Sequence, residues 1–401
     1  MPASVSSDYI YLDYAATAPL CEEASQAMAP YQMPGRANLA AGGNANSLHS
    51  PGRVAFEAME RARKEVARCV GAQRPDEIVF TSGATEADDA VLFGVSSAER
   101  DRRRRAGSGD FTPHVIVSAI EHDAVLHPAK RLARQGFRVS YLAPDARGFV
   151  SPDALERLID DDTVLVSVQM ANSEVGSIQP IAELARVAHG AGALFHTDAV
   201  QALGKTPVDV EALGVDAASF SAHKIGGPKG VGALYLRTRT PFDAFMLGGG
   251  QESGRRSGTQ NVAGIVGFAA ACKAAAERLD EEAVRLRALR DRLYAGLAAF
   301  GPVTPTVAVE AGCAEFLPNI VHVLVDGLES ETMILRLDMA GIGVSGGSAC
   351  SSHSLEPSHV LKAIGVSGDR AHGALRISMG RYTDESDVDA LLAAMRNVLD
   401  W

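Results

Sequence analysis

The chain has 401 residues, 46% of them hydrophobic and 22% charged, with 38 Lys+Arg against 49 Asp+Glu for a formal net charge of −11. That length predicts about two to four domains and a large core, and the acidic balance argues against general binding to nucleic acid or anionic membranes. The five cysteines (Cys21, Cys69, Cys272, Cys313 and Cys350) include no C-x-x-C pair, which excludes a zinc ribbon and argues against a disulfide framework in so long a chain.

The opening MPASVSSDYIYLDYAAT lacks the basic head and apolar stretch of a signal peptide. The longest charge-free stretches are rich in Gly and Ser, so none reads as a spanning helix. The expected location is the cytoplasm, with reduced thiols that serve mostly as packing residues.

In chain order, residues 54–70 place Met59, Ala62, Val66 and Cys69 at helical spacing, with Ser50-Pro51 as cap and first turn. Residues 77–82 (EIVFTS) predict a strand that opens into a helix from Ala84. The run Asp101-Arg102-Arg103-Arg104-Arg105 reads as a solvated loop. Further strands are expected at 114–119, 138–142, 163–169, 193–197 and 231–236. These runs show little polar alternation, as strands buried on both faces should. The architecture they predict is a mostly parallel, doubly wound α/β layer. After Asn261, an Ala-rich helical stretch to about Phe300 links to a smaller α+β domain with strands near 319–325 and 374–378.

Three motif matches fail on context. Gly341-Ile342-Gly343-Val344-Ser345-Gly346 fits G-x-G-x-x-G but follows a helical-looking run, so it reads as a glycine loop. Gly204-Lys205-Thr206 resembles the end of a P-loop, but Ala199 stands where its first glycine belongs. Gly343-Val344-Ser345-Gly346-Gly347 fits a hydrolase elbow, with Asp369 and His372 crowded close behind, and keeps an esterase-like alternative in view.

The dense signal lies between His196 and Gly232. Asp198 should end a strand at the sheet's carboxyl edge, where doubly wound sheets place ligands. Ser221-Ala222-His223-Lys224 and the glycine-rich IGGPKGVG follow about twenty-five residues later. Together these supply what pyridoxal phosphate chemistry needs: a Schiff-base lysine and a carboxylate for the pyridine nitrogen. The turn Gly83-Ala84-Thr85 adds a helix N-terminus for the phosphate dianion, with Ser221 and His223 as further donors.

At these residues the sequence resembles the cysteine desulfurases, fold-type I enzymes of the class V aminotransferase-like branch. The resemblance runs nearly end to end: YLDYAAT, GNANSLHSPGR, EIVFTSGATEADD, IEHDAVL, NSEVGSIQPI, HTDAVQALGK, SFSAHKIGGPKGVGALY, GGGQESGRRSGTQN, GVSGGSACSSHSLEPSHVLKAIG and LRISMGRYT. It implies a large cofactor-binding domain over 21–270 with a mostly parallel, seven-stranded sheet. A smaller α+β domain over 1–20 and 271–401 would carry the nucleophile loop.

Carried over residue by residue, the resemblance implies that Lys224 forms the Schiff base and takes the substrate Cα proton. Asp198 pairs with the pyridine nitrogen, Gln201 reaches the ring hydroxyl, and His122 stacks on the ring and moves protons. Ala84, Thr85, Ser221 and His223 hold the phosphate. Thr259 reaches the partner subunit's phosphate, which implies a homodimer. Arg376 grips the substrate carboxylate with its bidentate fork. Cys350, in the polar, glycine-rich GGSACSS stretch, is the nucleophile. As a thiolate it takes sulfur from L-cysteine as a persulfide, and alanine leaves. The length beyond Cys350 matches the long-loop members that serve iron–sulfur scaffolds, so the expected partners are L-cysteine, a second subunit and a sulfur-acceptor protein. No metal, and no direct nucleic-acid or membrane binding, is expected.

Two departures from the family pattern stand out. Ser173 occupies the place of an Asn that contacts the ring hydroxyl, so either Ser173 or a shifted Asn172 must serve. Ala222 replaces the usual glycine before His223-Lys224. The rival readings are a selenocysteine lyase, an aminotransferase, or an idle scaffold. An aminotransferase has no need of the GGSACSS cysteine, and an idle scaffold has no need of Lys224, Asp198, His122 and Cys350 together.

Overall fold

Short runs of small and β-branched residues, buried on both faces in all but the half-exposed edge strand Arg138–Leu142, build the main sheet of the computed structural model, which describes Ser6 and residues 8–107, 111–347 and 357–399. In chain order the strands among these residues are β1 (Ile10–Tyr11), β2 (Ile78–Thr81), β3 (His114–Ser118), β4 (Arg138–Leu142), β5 (Thr163–Ser167) and β6 (Leu194–Asp198). They continue with β7 (Ala217–Ser221), β8 (Gly232–Leu236), β9 (Val303–Pro305), β10 (Ile320–Val325), β11 (Ile342–Gly343) and β12 (Ala374–Ser378).

Seven of them form one sheet in the order β2-β8-β7-β6-β5-β3-β4. Strands β7, β6, β5, β3 and β4 run parallel, while β8 is antiparallel to both β2 and β7. The mostly parallel sheet expected from the sequence is therefore present, with one reversed strand, β8, set between β2 and β7. Strand β7 escaped the sequence reading because AASFS carries no β-branched residue. Gly232 opens β8 because any side chain there would strike the chain: a Cβ would sit 2.5 Å from the Phe220 carbonyl and 2.8 Å from Gly83.

The sheet's outer groups on β2 are not left to water. Arg63, on the helix Ser50–Cys69, donates to the Ile78 carbonyl at 2.7 Å and to Glu252 at 2.6 and 3.0 Å. Glu252 in turn accepts the Phe80 N–H at 3.0 Å. The pair is buried and caps an edge that would otherwise be open. Glu252→Ala removes the buried partner of Arg63 and leaves its guanidinium to the half-exposed Glu60 at 2.9 Å, so it should destabilise the fold by about 3 kcal/mol, the low end for a broken buried pair. Denaturant melts of the variant check this.

Several local expectations are corrected. The helix Ser50–Cys69 is capped by His49, whose ring nitrogen accepts from the Gly52 N–H at 3.3 Å, so Ser50 and Pro51 are its first residues. The arginine run is the end of the helix Ser96–Arg105, not a loop. Arg102 and Arg103 pair there with the buried Glu99, and Arg103 also donates to the carbonyls of Asp161, Thr163 and Gly192. The glycine stretch 341–346 contributes β11, which pairs with β1, rather than a plain loop.

The expected long helix after Asn261 is two, Val262–Glu277 and Leu279–Leu297, separated at Arg278. The acidic Asp280, Glu281 and Glu282 favour a new N-terminus there, where they meet the positive end of the helix dipole. Phe268 and Cys272 of the first helix join the core of the large sheet. Leu286, Leu289 and Leu293 of the second join another core, with Leu12, Val321, Leu375 and Leu391. That second core lies against the antiparallel sheet β12-β10-β9. Cys21 and Cys272 are buried, Cys69 and Cys313 half-buried, and all four are free thiols.

Candidate active site

The parallel strands deliver their carboxyl ends to one side of the sheet, and a cavity of ≈ 460 Å³ opens there. Ala84, Thr85, His122, Ser173, Asp198, Gln201, Ser221, His223, Lys224 and Arg376 all line it. Residues from six separate stretches of sequence thus meet in one place.

Lys224 arrives on a single 3-10 turn, Ala222–Ile225, directly after β7. Gly226 closes that turn at φ +80°, with Cys21 Cβ and the Pro19 carbonyl 3.2 Å from where a side chain would start. The lysine Nζ donates to the carbonyls of Ala15 at 2.6 Å and Ala16 at 2.9 Å. The N-terminal segment is held in place by the Ser378 hydroxyl, which accepts the Ala15 N–H at 2.9 Å.

Asp198 ends β6 and accepts the Val200 N–H at 2.9 Å. Burial raises its carboxyl, while that hydrogen bond and the nearby His122 and Lys224 favour its charge. Gln201 donates to the Ala15 carbonyl at 3.0 Å, and its buried Oε1 has no partner among the described residues. His122 caps the helix Asp123–Arg134, its Nδ1 accepting the Ala124 N–H at 3.1 Å.

Also lining the cavity, the helix Ala84–Ala90 starts without a side-chain cap at Gly83. A π-helical turn, Val91–Val95, carries it on into Ser96–Arg105. Glu86 in its first turn accepts the Ser82 N–H at 2.8 Å and pairs with Arg256 at 2.7 Å. Burial opposes the Glu86 charge, but Arg256 and Ser82 outweigh it and hold the carboxyl below the usual range. His223 shares a hydrogen bond with the Thr17 hydroxyl at 3.1 Å. Burial, then Lys224, Lys229 and Lys205, push its imidazole down to about 4, so it enters the site neutral.

Arg376, on β12, is 1% exposed. It donates to Asp13 at 2.9 Å and to the Ser173 carbonyl at 3.0 Å, while its buried Nε has no partner among the described residues. Of the two alternatives for the ring hydroxyl, Ser173 lines the cavity and Asn172 does not. The Asn172 carbonyl accepts the N–H groups of Glu174 and Val175 at 2.9 Å each, and its amide donates to Ile120. Thr259 is exposed and stands outside the cavity. Cys350 lies outside the described residues.

The structure adds residues that the sequence reading passed over. Asp88, Gln169 and Lys229 line the cavity. Gln169 receives no signal from motif or spacing, but Asp88 follows Ala84 and Thr85 by four and three residues, the spacing of one helix face. Behind the site, Ser118 and the Gln169 N–H donate to Glu121 at 2.5 and 2.6 Å, and burial still lifts its carboxyl to about 8. Lys205 is buried, and burial with the Lys224 charge brings its amine down to about 7.

Three histidines give the protein an acid-labile interior. Burial lowers His196 and His322 to about 3, and His223 to about 4. An unfolded chain takes up these protons below about pH 6.5, whereas the fold does not. Their contribution to stability is therefore complete above about 6.5 and is lost as pH falls toward 4. Thermal melts should show a midpoint that declines over this window, and a His196→Gln variant should decline less steeply.

The donor set fits pyridoxal phosphate. The cavity brings together a carboxylate, an amine and an uncapped helix start, and the buried Gln201 oxygen, without a partner among the described residues, awaits a donor. Among the described residues no group of His, Cys, Asp or Glu side chains could hold a metal ion, and no helix is long and apolar enough to cross a membrane. Fold and site together define a fold-type I pyridoxal phosphate enzyme of the class V aminotransferase kind.

Comparison with known proteins narrows this class. The family model described as aminotransferase class-V matches residues 10–391. A cysteine desulfurase IscS of Dictyoglomus turgidum is 42% identical over 391 residues, covering 98% of this chain and 94% of that one. The cysteine desulfurase IscS 1 of Archaeoglobus fulgidus is 43% identical over 390 residues, covering 97% of each. The solved structure of a NifS-like protein superposes with a TM-score of 0.87 at 39% identity, over 98% of this chain and 99% of that one. The chain belongs to the cysteine desulfurase family within the class V aminotransferases.

Proposed function

We propose that this protein is a pyridoxal phosphate-dependent cysteine desulfurase that converts L-cysteine to L-alanine and passes the sulfur on as a persulfide on Cys350. The observation that carries the reading is the meeting of Lys224, Asp198 and Arg376 in one cavity that the start of the helix Ala84–Ala90 also lines. Lys224 would hold the cofactor and move the proton at the substrate Cα. Asp198 would hold the ring nitrogen protonated, and the Gln201 oxygen would take the ring hydroxyl, with Ser173 beside it. His122 would cover the ring face. Ala84, Thr85, Ser221 and His223 would bind the phosphate. Bound pyridoxal phosphate supplies the electron sink that makes the substrate Cα acidic.

Arg376 would grip the substrate carboxylate. Its hold on Asp13 and the Ser173 carbonyl orients the guanidinium before substrate arrives. The Cys350 thiolate would then attack the substrate sulfur. An S–S bond forms as the Cβ–S bond breaks, the electron pair passes to the substrate carbon, and protonation releases alanine.

Beyond this chemistry, the reading includes a homodimer in the cytoplasm, serving a sulfur-acceptor protein such as an iron–sulfur scaffold. Thr259 would reach the partner subunit's phosphate. The exposed Leu48 and Leu247, 90% and 82% accessible, support a covered face near that segment. A large domain over 21–270 and a small one over 1–20 and 271–401 agree with Leu12 packing in the second core. Cys272 in the first core favours the break at Arg278 as the seam.

Asp198→Asn removes the charge facing the ring nitrogen. Breaking such a buried pair costs about 3–5 kcal/mol, so alanine formation should fall by about 10²–10³-fold while the fold persists. The reading as a whole is tested by incubating the purified holoenzyme with L-cysteine and quantifying alanine. Formation of a keto acid with transfer of the amino group, in place of alanine, would assign the protein to the aminotransferases instead.

A further inference from the structure

Asp88 sits on the helix Ala84–Ala90, on the face that also presents Ala84 and Thr85 to the cavity, and it lines that cavity with Asp198. It is 1% exposed, and among the described residues neither carboxyl oxygen has a hydrogen-bond partner. A buried carboxylate without a donor is strongly disfavoured. Its surroundings relieve it only through the Ser219 hydroxyl, which His196 shares. His196 Nε2 stands 3.6 Å from Oδ1, but that imidazole is neutral, and its two nitrogens are taken up by Ser167 at 2.8 Å and Ser219 at 3.0 Å. Apart from the Ser219 hydroxyl, the other groups that face Asp88 are acids: Asp198, Glu121 and Asp89.

Asp198 has what Asp88 lacks. It accepts the Val200 N–H and feels the His122 and Lys224 charges. When two neighbouring buried carboxyls cannot both ionise, the proton goes to the one less well supplied with donors and nearby cations. We propose that Asp88 is the neutral member of a carboxyl pair with Asp198, a positioning residue that confines the pair's single negative charge to Asp198. The proposal rests on Asp198 being the partner of the pyridine nitrogen. With Asp88 neutral, that nitrogen meets one fixed carboxylate; with the proton on Asp198 instead, it would meet an acid and lose its counter-charge.

Infrared difference spectroscopy of the holoenzyme reads the proton directly. At pH 7 the wild type should show the carbonyl band of protonated carboxyl groups, sensitive to deuterium exchange. Asp88→Asn should remove one carboxyl's share of it, and Glu121→Gln identifies the share due to Glu121. In Asp198→Asn, the Asp88 band should titrate away at lower pH than in the wild type, because the like charge has gone. An Asp88→Asn spectrum with the band undiminished would overturn the proposal, and so would an Asp88 titration unmoved by Asp198→Asn. Should Asp88→Asn not fold, absence of any protonated-carboxyl band in the wild type beyond that of Glu121 would overturn it equally. The reading of Asp198 fails on a different signal: cofactor absorption that Asp198→Asn leaves unchanged.

Discussion

Replacing Lys224 by alanine is expected to abolish alanine formation from L-cysteine, with a loss of at least about 10³-fold. Two functions disappear together in that variant. Proton transfer by a positioned side chain is worth about 10²–10⁴-fold, and covalent attachment of the cofactor is lost as well. The side chain is not a surface cation that a neighbour could replace. It is aimed into the cavity by the turn Ala222–Ile225, and its amine is drawn to the carbonyls of Ala15 and Ala16. Lys205, the other buried amine nearby, donates to the Lys224 carbonyl from behind the turn at 2.7 Å and does not line the cavity. The absorption band of the lysine-linked cofactor should vanish with the activity. An unchanged spectrum would remove Lys224 from its proposed role.

Cys350→Ser should also be severe, and different in kind. The cofactor's absorption should remain, because every residue proposed to hold it lies elsewhere in the chain. Alanine formation should fall at least about a hundredfold, because a hydroxyl is a poor nucleophile at neutral pH and cannot form a persulfide. The other four cysteines offer no substitute. Cys272 and Cys21 are buried and Cys69 half-buried, and burial raises all three thiols, to about 12 at Cys69. Cys313 lies near Glu315, in a cluster with Val307 and Phe316 away from the cavity. Sulfide release that survived Cys350→Ser would sink the nucleophile assignment.

The sheet was legible in the sequence because buried parallel strands declare themselves as short β-branched runs, and β3 and β5 lie where such runs stand. Strand β7 was not, since its alanines and serines owe their extended form to pairing with β6 and β8 rather than to propensity. The site divides in the same way. Lys224 and Asp198 are marked by chemistry and position at strand ends, so a reader of the sequence finds them. Asp88 carries no such mark: in GATEADD it is one acid among three, and only packing shows that it is buried while Glu86 finds Arg256. The choice between Asn172 and Ser173 also needed coordinates, because an Asn that folds back on its own loop reads like one that points into a cavity.

The most direct measurement is the intact mass of the holoenzyme after brief exposure to L-cysteine, with alanine counted in the same sample. Expected is a gain of one sulfur atom per chain, mapped by peptide analysis to Cys350, released by a reducing thiol and matched by one alanine. Alanine formed with no sulfur on Cys350, or sulfur on Cys350 with no alanine, would contradict a desulfurase that works through this cysteine.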